Sequence, residues 1–176
     1  MKKYELTSET KVIDGVELRR IKALNSFGNI KKGELGGWIE SEKNLSQYGD
    51  AWVGVNATVR GNATVGGNAT VRGNATVGDK ADVYGKATIS GDATVRGKED
   101  YIVFKNWWSS GRYFTWTRSN NKWKVGCFMG TGEELITKAY KDSEKSGREY
   151  ERVVKYVNDI LKEEDNDNGN RNKCED

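Results

Sequence analysis

The chain has 176 residues, 29 basic and 26 acidic side chains, a net charge of +3, 21 glycines, two cysteines and no histidine or proline. Without histidine it can build no Ser-His-Asp triad, Cys-His dyad, histidine general base or His-ligated zinc site. Cys127 and Cys174 are too few for a structural zinc site of their own or for a disulfide scaffold.

Residues 1–48 read as an N-terminal cap with a first, irregular coil. The Met1–Thr7 segment carries lysines but no apolar run after them, and nothing in the chain approaches the ~18 apolar residues of a membrane span. Val16-x-Leu18 and Ile21-x-Ala23 suggest short strands. Gly33-x-x-Gly36-Gly37-Trp38 reads as a turn into the first coil, since it lacks the Gly-Lys-Ser/Thr ending of a phosphate loop.

Residues 49–98 hold an internal repeat. Ala stands at 51, 57, 63, 69, 75, 81, 87 and 93; Val or Ile stands at 53, 59, 65, 71, 77, 83, 89 and 95. Gly recurs at 61, 67, 73, 85, 91 and 97, with Asp79 in the one missing slot. Two β-formers per six residues, separated by Gly and Asn, make very short strands joined by tight turns. Ala and Val, two apart, point to one side of a strand, so each unit turns a small and a medium side chain inward and Thr outward. Upstream, Ile39 and Leu45 fall in the Ala slot of the same register. Asp79 and Asp82 flank Lys80 and read as a surface corner rather than a carboxylate pair.

The Val-x-Gly-x-Ala-x pattern resembles the hexapeptide repeat of left-handed parallel β-helix proteins. In that family three units make an eighteen-residue triangular coil. The resemblance implies outward ladders of Thr58, Thr76 and Thr94 and of Thr70 and Thr88, the second topped by Trp52. Such ladders are similar to faces that pack trimers in the family, so a homo-oligomer, three-fold in order, is expected. An indole among threonines marks Trp52 as a contact with a cap or a partner. Many members are acyltransferases and others zinc carbonic anhydrases, both dependent on histidine. This chain has none to carry over, so no enzymatic activity, metal or cofactor is expected.

Residues 99–162 read as an α+β module. Nine of the 18 aromatics lie between Tyr101 and Phe128, and five bases without an acid lie between Tyr101 and Gly132. Strands are expected at 101–105, 112–118 and 122–128, a β-meander, with Cys127 a buried small residue in the alternating run Trp123-x-Val125-x-Cys127. Two helices follow, with capping boxes at Thr131–Glu134 and Ser146–Glu149. The fold class is thus mainly β: a left-handed parallel β-helix, an N-terminal cap and a C-terminal α+β module. Residues 163–176, with six acids and two bases, suggest a disordered tail.

Trp107, Trp108, Trp116, Arg112, Arg118, Lys122 and Lys124 are the candidate binding residues of the module, beside Trp52. Rings flanked by cations suit core or interdomain packing, a protein partner, or stacked bases with phosphates. The segments Gly36–Ser41 and Tyr101–Thr117, together with the hexads, resemble small β-helix proteins of bacteriophages and prophages. That resemblance implies a cytoplasmic protein of a bacterial host that binds and blocks a host factor, such as a CRISPR effector or another nuclease. A self-assembling scaffold, a nucleic-acid binder and a sponge for a nucleotide signal remain open alternatives.

Overall fold

The computed structural model describes residues 2–171, and side chains from 2 to 166. The fold is mainly β: a solenoid of about three turns, a four-stranded antiparallel sheet and two helices. The chain divides into two compact units. The first holds everything up to Asn106 together with Arg112–Met129; the second holds Trp107–Gly111 and the chain from Gly130 onward. The division falls inside the segment that the sequence groups as one α+β module.

The first unit begins with a hairpin, β1 (Tyr4–Ile13) and β2 (Val16–Ala23), turned at Asp14 and Gly15, both with positive φ. The two short runs expected near residues 16 and 23 are one strand, and β1 is additional. Strand β3 (Leu35–Ile39) pairs antiparallel with β2 and parallel with the first repeat strand on its face.

Eight two-residue strands follow: β4 (Trp52–Val53), β5 (Thr58–Val59), β6 (Thr64–Val65), β7 (Thr70–Val71), β8 (Thr76–Val77), β9 (Asp82–Val83), β10 (Thr88–Ile89) and β11 (Thr94–Val95). They stack in parallel on three faces, β3-β5-β8-β11, β6-β9 and β4-β7-β10. Each repeat strand aligns with the one eighteen residues on, Thr58 with Thr76 and Thr70 with Thr88. Every Ala and Val/Ile of the repeat is buried in one continuous core. The corner glycines Gly61, Gly67, Gly73, Gly85 and Gly91 have φ of 63–73°, and Asp79 takes the same conformation at 55°. Aspartate is among the few side chains that visit this region readily, so the repeat passes through that slot unbroken.

The first coil departs from the expected register. Ile39 aligns with Val59 and Leu45 with Val65, so both sit in the Val slot, not the Ala slot. Leu45 and Val53 are eight residues apart where the repeat has six, and the Ser46–Asp50 corner absorbs the extra two. The Gly36-Gly37 pair is strand, not turn. A β-carbon on Gly37 would collide with Gly54 O and lie 2.5 Å from Ala57 O, so only glycine lets β3 lie on the coil behind it.

A stacked solenoid leaves unpaired backbone groups at each end. At the first coil, Lys3 Nζ donates to Ala51 O (2.8 Å), the Asn44 amide to Ala63 O (2.8 Å) and Gly61 O (3.1 Å), and Tyr4 Oη to Leu45 O (2.7 Å). At the last coil, the Thr88 N–H donates to Thr115 Oγ1 (3.0 Å), Thr94 N–H to Ser119 Oγ (2.7 Å) and Arg96 N–H to Asp100 Oδ2 (2.6 Å). Carbonyls are thus met by side-chain donors at one end, and N–H groups by oxygens at the other.

The last-coil hydroxyls come from a strand (Thr115) and a turn (Ser119) of the four-stranded sheet of β12 (Tyr101–Lys105), β13 (Tyr113–Thr117), β14 (Lys122–Val125) and β15 (Phe128–Gly130). The expected third strand breaks at Gly126, whose φ is 55°, and Cys127 is exposed in the turn rather than buried. Alternation segregates the sheet's side chains. Ile102, Phe104, Phe114, Trp116 and Trp123 share one face, with Phe104 stacked on Phe114 at 5.4 Å; Thr115, Thr117, Lys122 and Lys124 share the other.

In the second unit, α1 (Gly132–Asp142) starts at the expected box: the Glu134 N–H donates to Thr131 Oγ1 (3.3 Å) and the Thr131 N–H to Glu134 Oε2 (2.8 Å). Helix α2 (Glu144–Arg171) starts earlier than expected, because Ser143 Oγ takes the Ser146 N–H (3.1 Å) and Ser146 lies within the helix. Gly147 owes its place to packing, since a β-carbon there would strike the Tyr140 ring. Leu135 and Ala139 on α1, and Tyr150, Val154 and Val157 on α2, are buried where the helices meet. Helix α2 continues past residue 162, through much of the segment expected to be a disordered tail; the last five residues of that tail lie outside the described residues.

Candidate functional site

The two threonine ladders form as the repeat dictates. Thr58, Thr76 and Thr94 align on one face and Thr70 and Thr88 on another, with Trp52 above Thr70. Thr58 is buried and the other four are partly exposed. Trp52 is only 3% exposed: Phe27, from the loop after β2, meets it edge-on at 5.5 Å. Its contact is with the chain's own cap, so it offers no free surface to a partner.

The candidate residues of the aromatic segment do not converge on one surface. Trp116 is 1% exposed and belongs to the ring cluster of the sheet. Arg118 lies over the Trp116 ring at 5.7 Å, and its Nε donates to Glu99 O (3.1 Å). Lys122 and Lys124 lie on the opposite face from the rings, and Lys124 Nζ donates to Phe128 O (3.2 Å). Burial lowers the Lys124 pKa, with the Arg72 charge adding to the effect. Arg112 is exposed beyond the end of β13. Period-two alternation is the reason: it turns Trp116 and Trp123 one way and Lys122 and Lys124 the other, so the lysines do not line the face that carries the rings.

Trp107 and Trp108 stand together in the second unit. Trp108 is buried edge-on against Tyr150 at 5.0 Å, and Trp107 meets Trp108 edge-on at 6.0 Å with 68% of its own surface exposed. Trp107 is thus an exposed indole set beside a buried one.

A second feature gave no signal in the sequence. The Phe27–Ile30 turn, closed by paired backbone bonds of 3.1 and 2.8 Å, overhangs the β4-β7-β10 face and encloses a groove of about 460 Å³. Asp50, Asn68, Thr70 and Arg72 line its solenoid side, and Ile30 and Glu34 its loop side. Lys3 lies behind Asp50, over the Phe27 ring at 5.2 Å; burial pulls its pKa down to about 8 against the raising effect of Asp50. The groove needs the loop to fold back over the coil, and short-range patterning does not reveal that. Among the described residues, no three His, Cys, Asp or Glu side chains are grouped to hold a metal ion, and no helix is long and apolar enough to cross a membrane.

The fold and these surfaces define a β-solenoid protein. It is similar, at 36% identity over 61 residues, to a protein of Escherichia coli (strain K12) described as the uncharacterized acetyltransferase YdcK. The match covers 30% of this chain and 19% of that protein, so the chain spans about a fifth of its relative's length. No family model matches the chain.

Proposed function

We propose that this is a non-catalytic binding protein: a short closed solenoid that associates laterally with copies of itself and holds a protein partner through an exposed tryptophan. The observation that carries this reading is the pair Trp107 and Trp108, one ring bared and the other buried edge-on behind it. Exposed aromatic anchors that lose little freedom on binding dominate protein interfaces. Sealed solenoid ends leave lateral faces, among them the partly exposed Thr76 and Thr94 ladder, as the surfaces for self-association. The nucleic-acid alternative is weakened because Arg118 and Lys124 already donate to carbonyls, and the lysines and rings point opposite ways. The bacteriophage setting, and a blocked nuclease or CRISPR effector as target, rest on the resemblance of the Gly36–Ser41 and Tyr101–Thr117 segments alone.

The test is co-purification from bacterial lysates with the intact chain and with Trp107→Ala. A specific protein retained by the first and lost by the second supports the reading. Tight, salt-resistant binding of an oligonucleotide that is unaffected by Trp107→Ala overturns it. The relative's name supports a second reading, acetyl transfer from a thioester donor. Sustained turnover of acetyl-CoA by repurified protein would establish that reading in place of the first.

A further inference from the structure

We infer that the groove beneath the Phe27–Ile30 turn binds a short zwitterionic peptide in extended form, with its amino end at Asp50 and its carboxylate at Arg72. The Arg72 guanidinium makes no hydrogen bond or ion pair among the described residues, although its backbone N–H is held by Ile89 O (2.9 Å). The Asp50 carboxylate likewise accepts no hydrogen bond from any described group, although its charge acts on Lys3. Two unlike, exposed charges, neither hydrogen-bonded through its charged group, therefore line one groove.

Their separation is set by the solenoid. The Asp50 N–H donates to Asn68 Oδ1 (3.3 Å), which fixes Asp50 beside Asn68 on the neighbouring coil. Arg72 stands four residues beyond Asn68, a run of at most ~13 Å along a strand. Two or three extended residues fill such a span once the acid and base reach inward. Between the charged ends lie polar groups, Thr70 and Asn68, under the apolar cover of Ile30. Hydrogen-bonding side chains below and an apolar wall above suit a peptide backbone with small side chains.

Charge at each end selects for the zwitterion. At the Arg72 end, Lys124 adds a second positive charge, since the two cations repel across this face. At the Asp50 end, Glu34 is a second carboxylate, its Oε2 holding the Lys31 N–H at 3.1 Å, and the two carboxylates outnumber the one Lys3 charge beside Asp50. A simple anion would be disfavoured by Asp50 and Glu34, and a simple cation by Arg72 and Lys124. The cover is preformed: Phe27 is pinned on Trp52, and the Gly33 and Leu24 N–H groups donate to Ala23 O and Lys3 O (2.8 and 2.9 Å).

The site is independent of the Trp107 surface, so each can fail alone. The experiment is titration of the full chain with trialanine, N-acetyl-trialanine and trialanine amide, followed by calorimetry and ligand-observed NMR. Trialanine should bind saturably, and blocking either end should weaken it by about tenfold, the loss of roughly 1.4 kcal/mol of charge pairing. Arg72→Gln should abolish discrimination between trialanine and its amide while keeping discrimination against the acetylated peptide; Asp50→Asn should do the reverse. Unchanged melting temperatures keep these variants interpretable. Absence of saturable binding, equal affinity for all three peptides, or discrimination that survives both substitutions overturns the inference.

Discussion

Two glycine-to-alanine substitutions, alike on paper, should change stability in opposite directions. At Gly37 the new methyl group would fall on Gly54 O, 2.5 Å from Ala57 O and 2.8 Å from Val53 Cγ1. Carbon atoms settle at ~3.5–4 Å, so the neighbours must yield. Two of them are backbone oxygens in use: Ala57 O accepts from Trp38 N–H (3.0 Å), and Gly54 O from Ala57 N–H (2.9 Å). Relief therefore moves a rung of the solenoid. Overpacking costs about 1–3 kcal/mol and each disturbed hydrogen bond about 1 kcal/mol, which puts Gly37→Ala near 3–5 kcal/mol of destabilisation. Gly78 is also buried, yet a β-carbon there meets only Arg60 Cγ at 3.8 Å, and its φ lies outside the left-handed region. Alanine there restricts the unfolded chain without strain and should stabilise by about 0.4–1 kcal/mol. Urea unfolding followed by tryptophan fluorescence reads both. At a slope of about 2 kcal/mol/M, the midpoint should fall by roughly 2 M for Gly37→Ala and rise by a few tenths for Gly78→Ala. Midpoints that move together, or a Gly37→Ala protein as stable as the parent, would refute the close stacking of β3 on the coil behind it.

Lys3 supplies a pH-dependent difference. Its pKa falls from 10.5 to about 8 on folding, so the buried charge penalises the native state below pH 8, and the penalty is relieved as pH rises from 8 to 10.5. The stability of the parent relative to Lys3→Met should therefore climb across that window by up to about 3 kcal/mol; a difference that stays flat in calorimetric melts argues against the buried ammonium. Thr131→Ala removes the acceptor of the Glu134 N–H and should cost α1 about 1 kcal/mol, visible as a lowered denaturant midpoint, whereas Thr137→Ala, further along the same helix, should not. Light scattering at tens of micromolar should give a mass above 19.7 kDa, with charge placed on the Thr76 and Thr94 ladder returning it to that value; a parent already at 19.7 kDa would remove self-association from the proposed function.

The solenoid was legible because a six-residue period repeats its own message: Ala and Val inward, Thr outward and a left-handed corner, with Asp79 recognisable as a stand-in. Where the period stretches, the reading slipped. Ile39 and Leu45 obey the six-residue spacing between themselves, and nothing local reveals the two extra residues before Ala51. The Gly36-Gly37 pair looked like a turn because glycine has two uses, freedom of φ and freedom from a β-carbon, and only the neighbouring coil shows which applies. Cys127 was placed inside because alternation assumes an unbroken strand, while Gly126 turns the chain. The make-up of the aromatic segment is legible in the sequence. Which of its residues share a surface is not, because rings and cations that mingle in sequence separate onto two faces of a sheet. The groove beside Arg72 depends on a loop folding over a coil some forty residues away, and pattern alone is silent there.

Stacking at a fixed eighteen-residue interval also governs how the rod can assemble in time. Parallel sheets ordinarily fold slowly because their partners lie far apart in the chain. Here each coil finds its neighbour within eighteen residues, so ordered structure can begin at any repeat and zip outward one coil at a time. The contacts that close the two ends are not equally near. Thr94 meets Ser119 across 25 residues and Thr88 meets Thr115 across 27, whereas Lys3 reaches Ala51 across 48 and Tyr4 reaches Leu45 across 41. Closing a loop of 48 rather than 18 residues costs about 0.9 kcal/mol more. By that measure the N-terminal hairpin is the costlier end to close. Whenever it is undocked, the first coil presents bare strand edges to any neighbouring chain, which is the state most exposed to aggregation.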